Sequence, residues 1–294
     1  MDKYRQIFDD WHQLKSVSLR VKQMPRYLQK TAGRNDIMKK SVWKEGWFVA
    51  EKKRIGNIYM NTFRSQAEAI DACMSRLGAG QKVDLYFLND HGFNIAQSDP
   101  EYLNALNRAD FLLNDGIGVK LGAKIWGIRL DQNLNGTDLI PKLLAIFQQK
   151  GESVFLLGAS KQAVRAAAER IRANFPGLNV ADFHHGYFRS PEDMVRRINA
   201  SGASVLLVGM GMPLQEKFID VHNRELRPKL RIAGGGYIDF ASGLKPRAPK
   251  IMRRLNLEWL FRMILEPRRM WKRNVVGHLQ FFITIFRLKF AKKK

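Results

Sequence analysis

Between residues 82 and 240, short apolar runs alternate with longer stretches in which apolar residues recur at helical spacing. The runs at 84–88, 111–113, 154–157, 205–208 and 231–233 read as strands buried on both faces, each followed by glycine or polar residues. Helices are predicted over 101–108, 138–148, 161–174, 192–200 and 215–225, with Pro176, Gly177 and Gly202 as stop signals. Strands alternating with helices predict a mostly parallel α/β sheet with flanking helices.

In an open parallel sheet, ligands bind in the crevice beyond the carboxyl ends of the strands. Five strand exits carry suitable groups: Asn89-Asp90-His91-Gly92, Asn114-Asp115-Gly116-Ile117-Gly118, Gly158-Ala159-Ser160, Gly209-Met210-Gly211-Met212-Pro213 and Gly234-Gly235-Gly236. Asp115 lies between a buried strand and a glycine turn, where partial desolvation raises a carboxylate toward a useful general base, or where it simply caps the next helix. Asn89 and Asp90 bind a sugar or nucleotide at the preceding exit, or form an Asx turn. Backbone N–H groups around Gly116, Gly118 and Gly122, and around Gly209 and Gly211, suit a diphosphate, with tight turns as the plainer reading. Neither cluster completes a dinucleotide fingerprint, and no Walker lysine pattern occurs. His184 and His185 are adjacent and would face opposite sides of a strand, and no His-Glu-x-x-His or paired Cys-x-x-Cys occurs, so no metal is expected. Nothing resembles a serine nucleophile elbow. Gln215 and Glu216 start a helix, where Glu216 either meets a ligand or complements the dipole.

Charge divides the chain into three. Residues 1–54 hold 14 basic and 6 acidic side chains, 55–243 hold 21 and 19, and 244–294 hold 15 and 2, within a net charge of +23. A near-neutral α/β body at 55–243 is thus flanked by a basic N-terminal extension, helical in part over 2–29 and looser over 33–44, and a basic C-terminal appendage. Such ends suit nucleic acid, an anionic membrane or an anionic substrate. In the appendage, Pro246, Ala248 and Pro249 form an extended joint before amphipathic helices at 251–265 and from 270 onward, their cations interleaved with Trp259, Phe261, Trp271, Phe281, Phe282 and Phe286. The apolar segment 275–286 is too short to span a bilayer, which takes roughly 20 residues, but suits its surface. Arg247, Arg253, Arg254, Arg262, Arg268 and Arg269 grip phosphates bidentately or form a solvated face toward anionic lipid. The only cysteine, Cys73, excludes a disulfide framework within the chain and reads as a core residue in a reducing compartment, and charges recurring through residue 34 leave no signal-peptide region.

The ordered runs Phe87-Leu88-Asn89 with Asp99-Pro100, Ala109-Asp110-Phe111-Leu112-Leu113-Asn114-Asp115-Gly116-Ile117-Gly118, Asn135-Gly136-Thr137-Asp138, Phe155-Leu156-Leu157-Gly158, Val208-Gly209-Met210-Gly211-Met212-Pro213-Leu214-Gln215-Glu216 and Glu258-Trp259 resemble the WecG/TagA/CpsF glycosyltransferases over residues 55–275. The resemblance implies a Rossmann-like α/β body with a membrane-binding C-terminal appendage, and an inverting, metal- and cofactor-independent transfer from a UDP-sugar to an undecaprenyl-diphosphate-linked sugar. The enzyme would sit on the cytoplasmic membrane face, in cell-wall, capsule or exopolysaccharide synthesis, as a possible homo-oligomer. Asp115 would deprotonate the acceptor hydroxyl, Asn89 would position donor or acceptor, Gln215 and Glu216 would border the nucleotide, and Arg247, Arg254 or Arg262 would meet the diphosphate. Asn114, Gly116, Gly136, Thr137, Gly158, Gly209 and Gly211 fall in the same motifs as substrate-binding positions. Two residues depart from the pattern: Phe87 stands where many members have Thr, and Asn114 where many have Pro. The first removes a hydroxyl near substrate, so donor identity does not carry over from the acetylmannosamine enzymes, and the Trp-rich basic tail is more similar to the exopolysaccharide members, which implies UDP-glucose or another UDP-hexose as a further candidate donor. The rival readings are a nucleic-acid or anionic-polymer binder built on the basic ends, which lacks a recognised reading module, and a nucleotide-sugar oxidoreductase, which lacks the dinucleotide fingerprint.

Overall fold

The structure, a computed structural model, describes residues 43–44, 47–48, 51–249, 251–252, 258–267, 271 and 275–291. The N-terminal helical reading over 2–29 lies outside these residues, as do Arg253, Arg254, Arg268 and Arg269. The chain divides into two compact units, 1–49 and 50–294. In the first, β1 (Trp43–Lys44) and β2 (Trp47–Phe48) form a short antiparallel ladder.

The second unit opens with an antiparallel hairpin, β3 (Lys52–Ile55) and β4 (Ile58–Asn61), followed by helix α1 (Gln66–Gly78). Six parallel strands then form one sheet: β5 (Val83–Leu88), β6 (Phe111–Asn114), β7 (Ser153–Gly158), β8 (Asn179–His184), β9 (Val205–Gly209) and β10 (Leu230–Ala233), in the order β6-β5-β10-β9-β7-β8. The five apolar runs are five of these strands. The sixth, β8, escapes hydropathy because it is an edge strand whose Asn179, Asp182 and His184 are exposed or half-buried, so no unbroken apolar run is required.

Helices α3 (Pro100–Arg108), α5 (Gly136–Gln149), α6 (Lys161–Asn174), α7 (Pro191–Ala200) and α8 (Leu214–Val221) match the amphipathic stretches; α8 stops at Val221, short of the expected 225. The sequence reading set no bounds for α1, for α2 (Asp90–Ala96), for the helix after Asp115, α4 (Ile117–Ile125), or for α9 (Tyr237–Ala241). Glycines disguise α4. A side chain at Gly122 would come within 2.6 Å of the Phe281 ring, so this glycine admits a neighbouring helix. That neighbour is α11 (Gly277–Ala291), which with α10 (Glu258–Leu265) forms the described helices after residue 250. Phe281 and Ile285 of α11 are buried at 1% and 0% exposure, Phe281 meets Phe93 of α2 edge-on at 5.1 Å, and Lys289 donates to the carbonyl of Ile125 at the end of α4.

The two ends of the sheet differ in chemistry. At the amino-terminal end Asp84 and Arg231 face one another in register, with Arg231 Nε donating to Asp84 Oδ1 at 2.5 Å and Asn223 Nδ2 to Asp84 Oδ2 at 2.5 Å. At the carboxyl end Leu88 pairs with Asn114 and Gly158 with Gly209, which brings the strand exits to one edge. After β7 the chain moves outward to β8, and after β9 it turns the other way to β10. The topological switch point therefore lies between Gly158 and Gly209.

Candidate active site at the carboxyl edge of the sheet

Asp115 follows β6, and its main-chain N–H donates to the carbonyl of Leu88 at 2.8 Å, which fixes the residue beside the exit of β5. The next loop clasps this turn. Asn114, 1% exposed, donates from Nδ2 to the carbonyl of Gln132 at 2.9 Å and accepts at its own carbonyl from the N–H of Leu134, while the Gly116 N–H donates to Asn133 Oδ1 at 2.8 Å. Gly116 has φ +98°, a backbone that a β-carbon would strain, and no side chain caps α4. A half-buried carboxylate thus adjoins the N-terminus of α4, a pairing of base and anion-favouring dipole. Asn133 was not singled out from the sequence, since nothing in the Asn-Leu-Asn run shows which residue reaches back across the loop.

Asn89 caps α2, its Oδ1 accepting from the Gly92 N–H at 2.9 Å, as the Asx reading expected. Phe87 packs beneath Gly136, where an added β-carbon would lie 3.0 Å from the ring. Thr137 presents its carbonyl to Arg247 Nη1 at 3.4 Å. Arg247 also donates from Nη2 to Asp138 at 2.7 Å and lies 3.5 Å from the Glu258 carboxylate, which ties the start of the appendage to the N-terminus of α5 and to α10. Arg254 is outside the described residues. Arg262 belongs to α10, with its side chain outside the description.

At the switch point the backbones come too close for side chains: a β-carbon at Gly158 would sit 2.3 Å from the Gly209 carbonyl oxygen. Ala159 follows in a left-handed conformation, φ +55°, its N–H donating to the Gly209 carbonyl and its carbonyl accepting from Gly186. A non-glycine residue held there costs about 1–3 kcal/mol, and such strain collects at working sites. Gln215 joins the next two exits, because its Oε1 accepts from the N–H groups of Gly211 at 3.2 Å and Gly235 at 3.0 Å while its Nε2 donates to Glu216 Oε1 at 2.7 Å. Both side chains are fully buried, so they organise the glycine turns from beneath.

Burial pushes the Glu216 carboxyl up from 4.5 to about 7, against the smaller opposing effect of its bond from Gln215. Between those values the fold retains a proton that the unfolded chain releases, so this group's contribution to stability is greatest below pH 4.5 and is lost as pH rises toward 7. The difference in stability between Glu216→Gln and the parent is therefore expected to move in the variant's favour by about 2 kcal/mol between pH 5 and pH 8, read by urea denaturation at both values. A pH-independent difference would refute this assignment.

His184 and His185 correct an expectation. Strand β8 ends at His184, so the two side chains do not face opposite sides, and their rings lie 4.1 Å apart. Among the described residues no group of three or more His, Cys, Asp or Glu side chains could hold a metal ion. No described helix is long and apolar enough to cross a membrane.

The family model for the glycosyl transferase WecG/TagA/CpsF family matches residues 54–294, so it takes in the sheet and the helices after residue 250. The chain is 37% identical over 180 residues to an N-acetylglucosaminyldiphosphoundecaprenol N-acetyl-β-D-mannosaminyltransferase of Bacillus subtilis (strain 168), covering 60% of this chain and 69% of the relative. A protein of the same name in Staphylococcus aureus (strain NCTC 8325 / PS 47) is 34% identical over 220 residues, covering 74% and 84%. These relatives do not favour a nucleic-acid binder. The residues matched by the family model include the strand exits gathered at the carboxyl edge, and the chain is a hexosyl-transferring enzyme that belongs to the WecG/TagA/CpsF glycosyltransferase family.

Proposed function

We propose that the chain transfers a hexose or N-acetylhexosamine, or its uronate, from a UDP-sugar to an undecaprenyl-diphosphate-linked sugar in the synthesis of a cell-surface polymer. The observation that carries this reading is the Asp115 carboxylate, held by main-chain bonds beside the α4 N-terminus on the sheet edge where the switch point also lies. Asp115 accepts the proton of the acceptor hydroxyl. That oxygen then bonds to the anomeric carbon, the bond to the diphosphate oxygen breaks, and UDP departs with its electron pair and inversion at the sugar. The N-terminal dipole of α4 offsets charge on the diphosphate. UDP release from a panel of UDP-sugars, with and without a short-chain prenyl-diphosphate sugar, tests this reading. Acceptor-dependent release supports it and identifies the donor, whereas no release with any donor, together with no UDP binding, contradicts it.

The acceptor's lipid requires a membrane-facing surface, and α11 supplies a candidate. With Phe281 and Ile285 turned inward, Leu279, Ile283, Phe286 and Phe290 form a second apolar stripe, 64%, 59%, 45% and 54% exposed, in a strongly basic segment. We assign this stripe to the inner face of the cell membrane, where apolar insertion and attraction to anionic lipid act together. Ile283→Glu with Phe286→Glu is expected to reduce binding to phosphatidylglycerol vesicles by at least tenfold, since each substitution removes roughly 1.5–3 kcal/mol of apolar transfer. Undiminished sedimentation with vesicles would count against the assignment.

A further inference from the structure

Helix α11 meets the site as well as the proposed membrane face. At its start His278 Nε2 lies 2.6 Å from Asp90 Oδ2, and the Gly277 carbonyl accepts from Asn94 Nδ2 at 2.8 Å. Trp259 of α10 meets the His278 ring edge-on at 5.9 Å and 86°. Both partners of the short contact are largely enclosed, at 29% and 18% side-chain exposure. Asp90 directly follows Asn89, the cap of α2, and its β-carbon would lie 3.1 Å from a β-carbon added to Gly118 in the first turn of α4. His278 therefore touches the residue that lies between the Asn89 cap and the Asp115–Gly118 turn, while α10 and α11 both converge on its ring.

We infer that His278 is a positioning residue: through Asp90 it holds the start of α2 against α4, so that the helix facing the lipid also sets the geometry beside Asp115. The inference rests on the proposed transferase reading for its consequence in turnover, but the contact itself is a property of the fold. Neither composition nor periodicity suggests this role, since a lone histidine in a basic amphipathic stretch has no local signature.

The test compares the full-length protein with His278→Ala, His278→Gln and Asp90→Ala. Glutamine retains a donor at the reach of the histidine Nε2 and serves as the conservative variant. With the donor identified by UDP release and a short-chain prenyl-diphosphate sugar as acceptor, His278→Ala and Asp90→Ala are each expected to lower kcat on the order of tenfold, the weight of one charge-assisted hydrogen bond. The donor KM should stay within about twofold on the same argument, because neither residue lies at the switch point. The double alanine variant should be no worse than either single one, and His278→Gln should recover most of the loss. Binding to phosphatidylglycerol vesicles should be unchanged in all variants. Full turnover in folded His278→Ala, additive losses in the double variant, or no recovery with glutamine would overturn the inference. A separate readout needs no turnover: the Gly92 and Phe93 amides, which bond to Asn89, should exchange hydrogen faster in His278→Ala. Unchanged exchange would refute the inference. A wild type that exchanges as expected but releases no UDP would instead refute the transferase reading alone.

Discussion

Asp115→Asn is expected to lower turnover by roughly 10²–10⁴-fold, the usual contribution of a positioned general base, while leaving the fold and UDP binding intact. The substitution is nearly isosteric and removes the negative charge together with the capacity to take a proton. The main-chain bond from Asp115 to Leu88, the clasp of Asn114 on Gln132 and the bond from Gly116 to Asn133 do not involve the Asp115 carboxylate. Loss of kcat without loss of UDP affinity, measured by UDP release and calorimetric titration on a protein with an unchanged melting transition, would therefore report on chemistry. Unimpaired turnover would exclude Asp115 as the base.

A comparable loss, in stability rather than chemistry, is expected at the opposite end of the sheet. Arg231 is 1% exposed and Asp84 5%, and they meet at 2.5 Å where β10 and β5 run side by side. Removing one partner of a buried pair leaves the other charge unsolvated, which costs about 3–5 kcal/mol, against a total stability of only about 5–15 kcal/mol for a typical domain. Asp84→Ala should shift the urea midpoint down accordingly with little change in slope, and the Asp84→Leu, Arg231→Met double variant should regain much of the loss. Because the pair sits at the amino-terminal edge, the folded fraction of Asp84→Ala should retain its turnover per active molecule. A midpoint within error of the parent would show that the pair is dispensable.

The contrast between these two carboxylates bears on what the sequence reveals. Asp84 and Asp115 both adjoin apolar runs, and only their positions at the start of one strand and just past the end of another separate a structural ion from a site candidate. That order is legible once strand direction is assumed, which is why the exits at Asn89, Asp115, Gly158, Gly209 and Gly234 could be assembled into one edge. The clasp by Asn133 and the Gln215 bridge between two glycine turns were not legible, since they join residues whose spacing follows no local period.

By itself the sequence determined the alternation of strand and helix, five of the six parallel strands, the strand exits that meet at one edge, the asymmetry of charge and the family motifs. Each of these is a local property, because burial on two faces demands an unbroken apolar run and a helix face demands its period, whatever the partner. The tertiary structure alone decided the rest. It admitted β8 as a half-exposed edge strand and seated Phe281 over Gly122. It also brought His278 to Asp90 and sank Gln215 and Glu216 beneath the turns. Those outcomes depend on close approach between segments distant in sequence, where missing side-chain volume, a buried amide or a single charged contact determines the fit, and none of these leaves a repeating pattern along the chain.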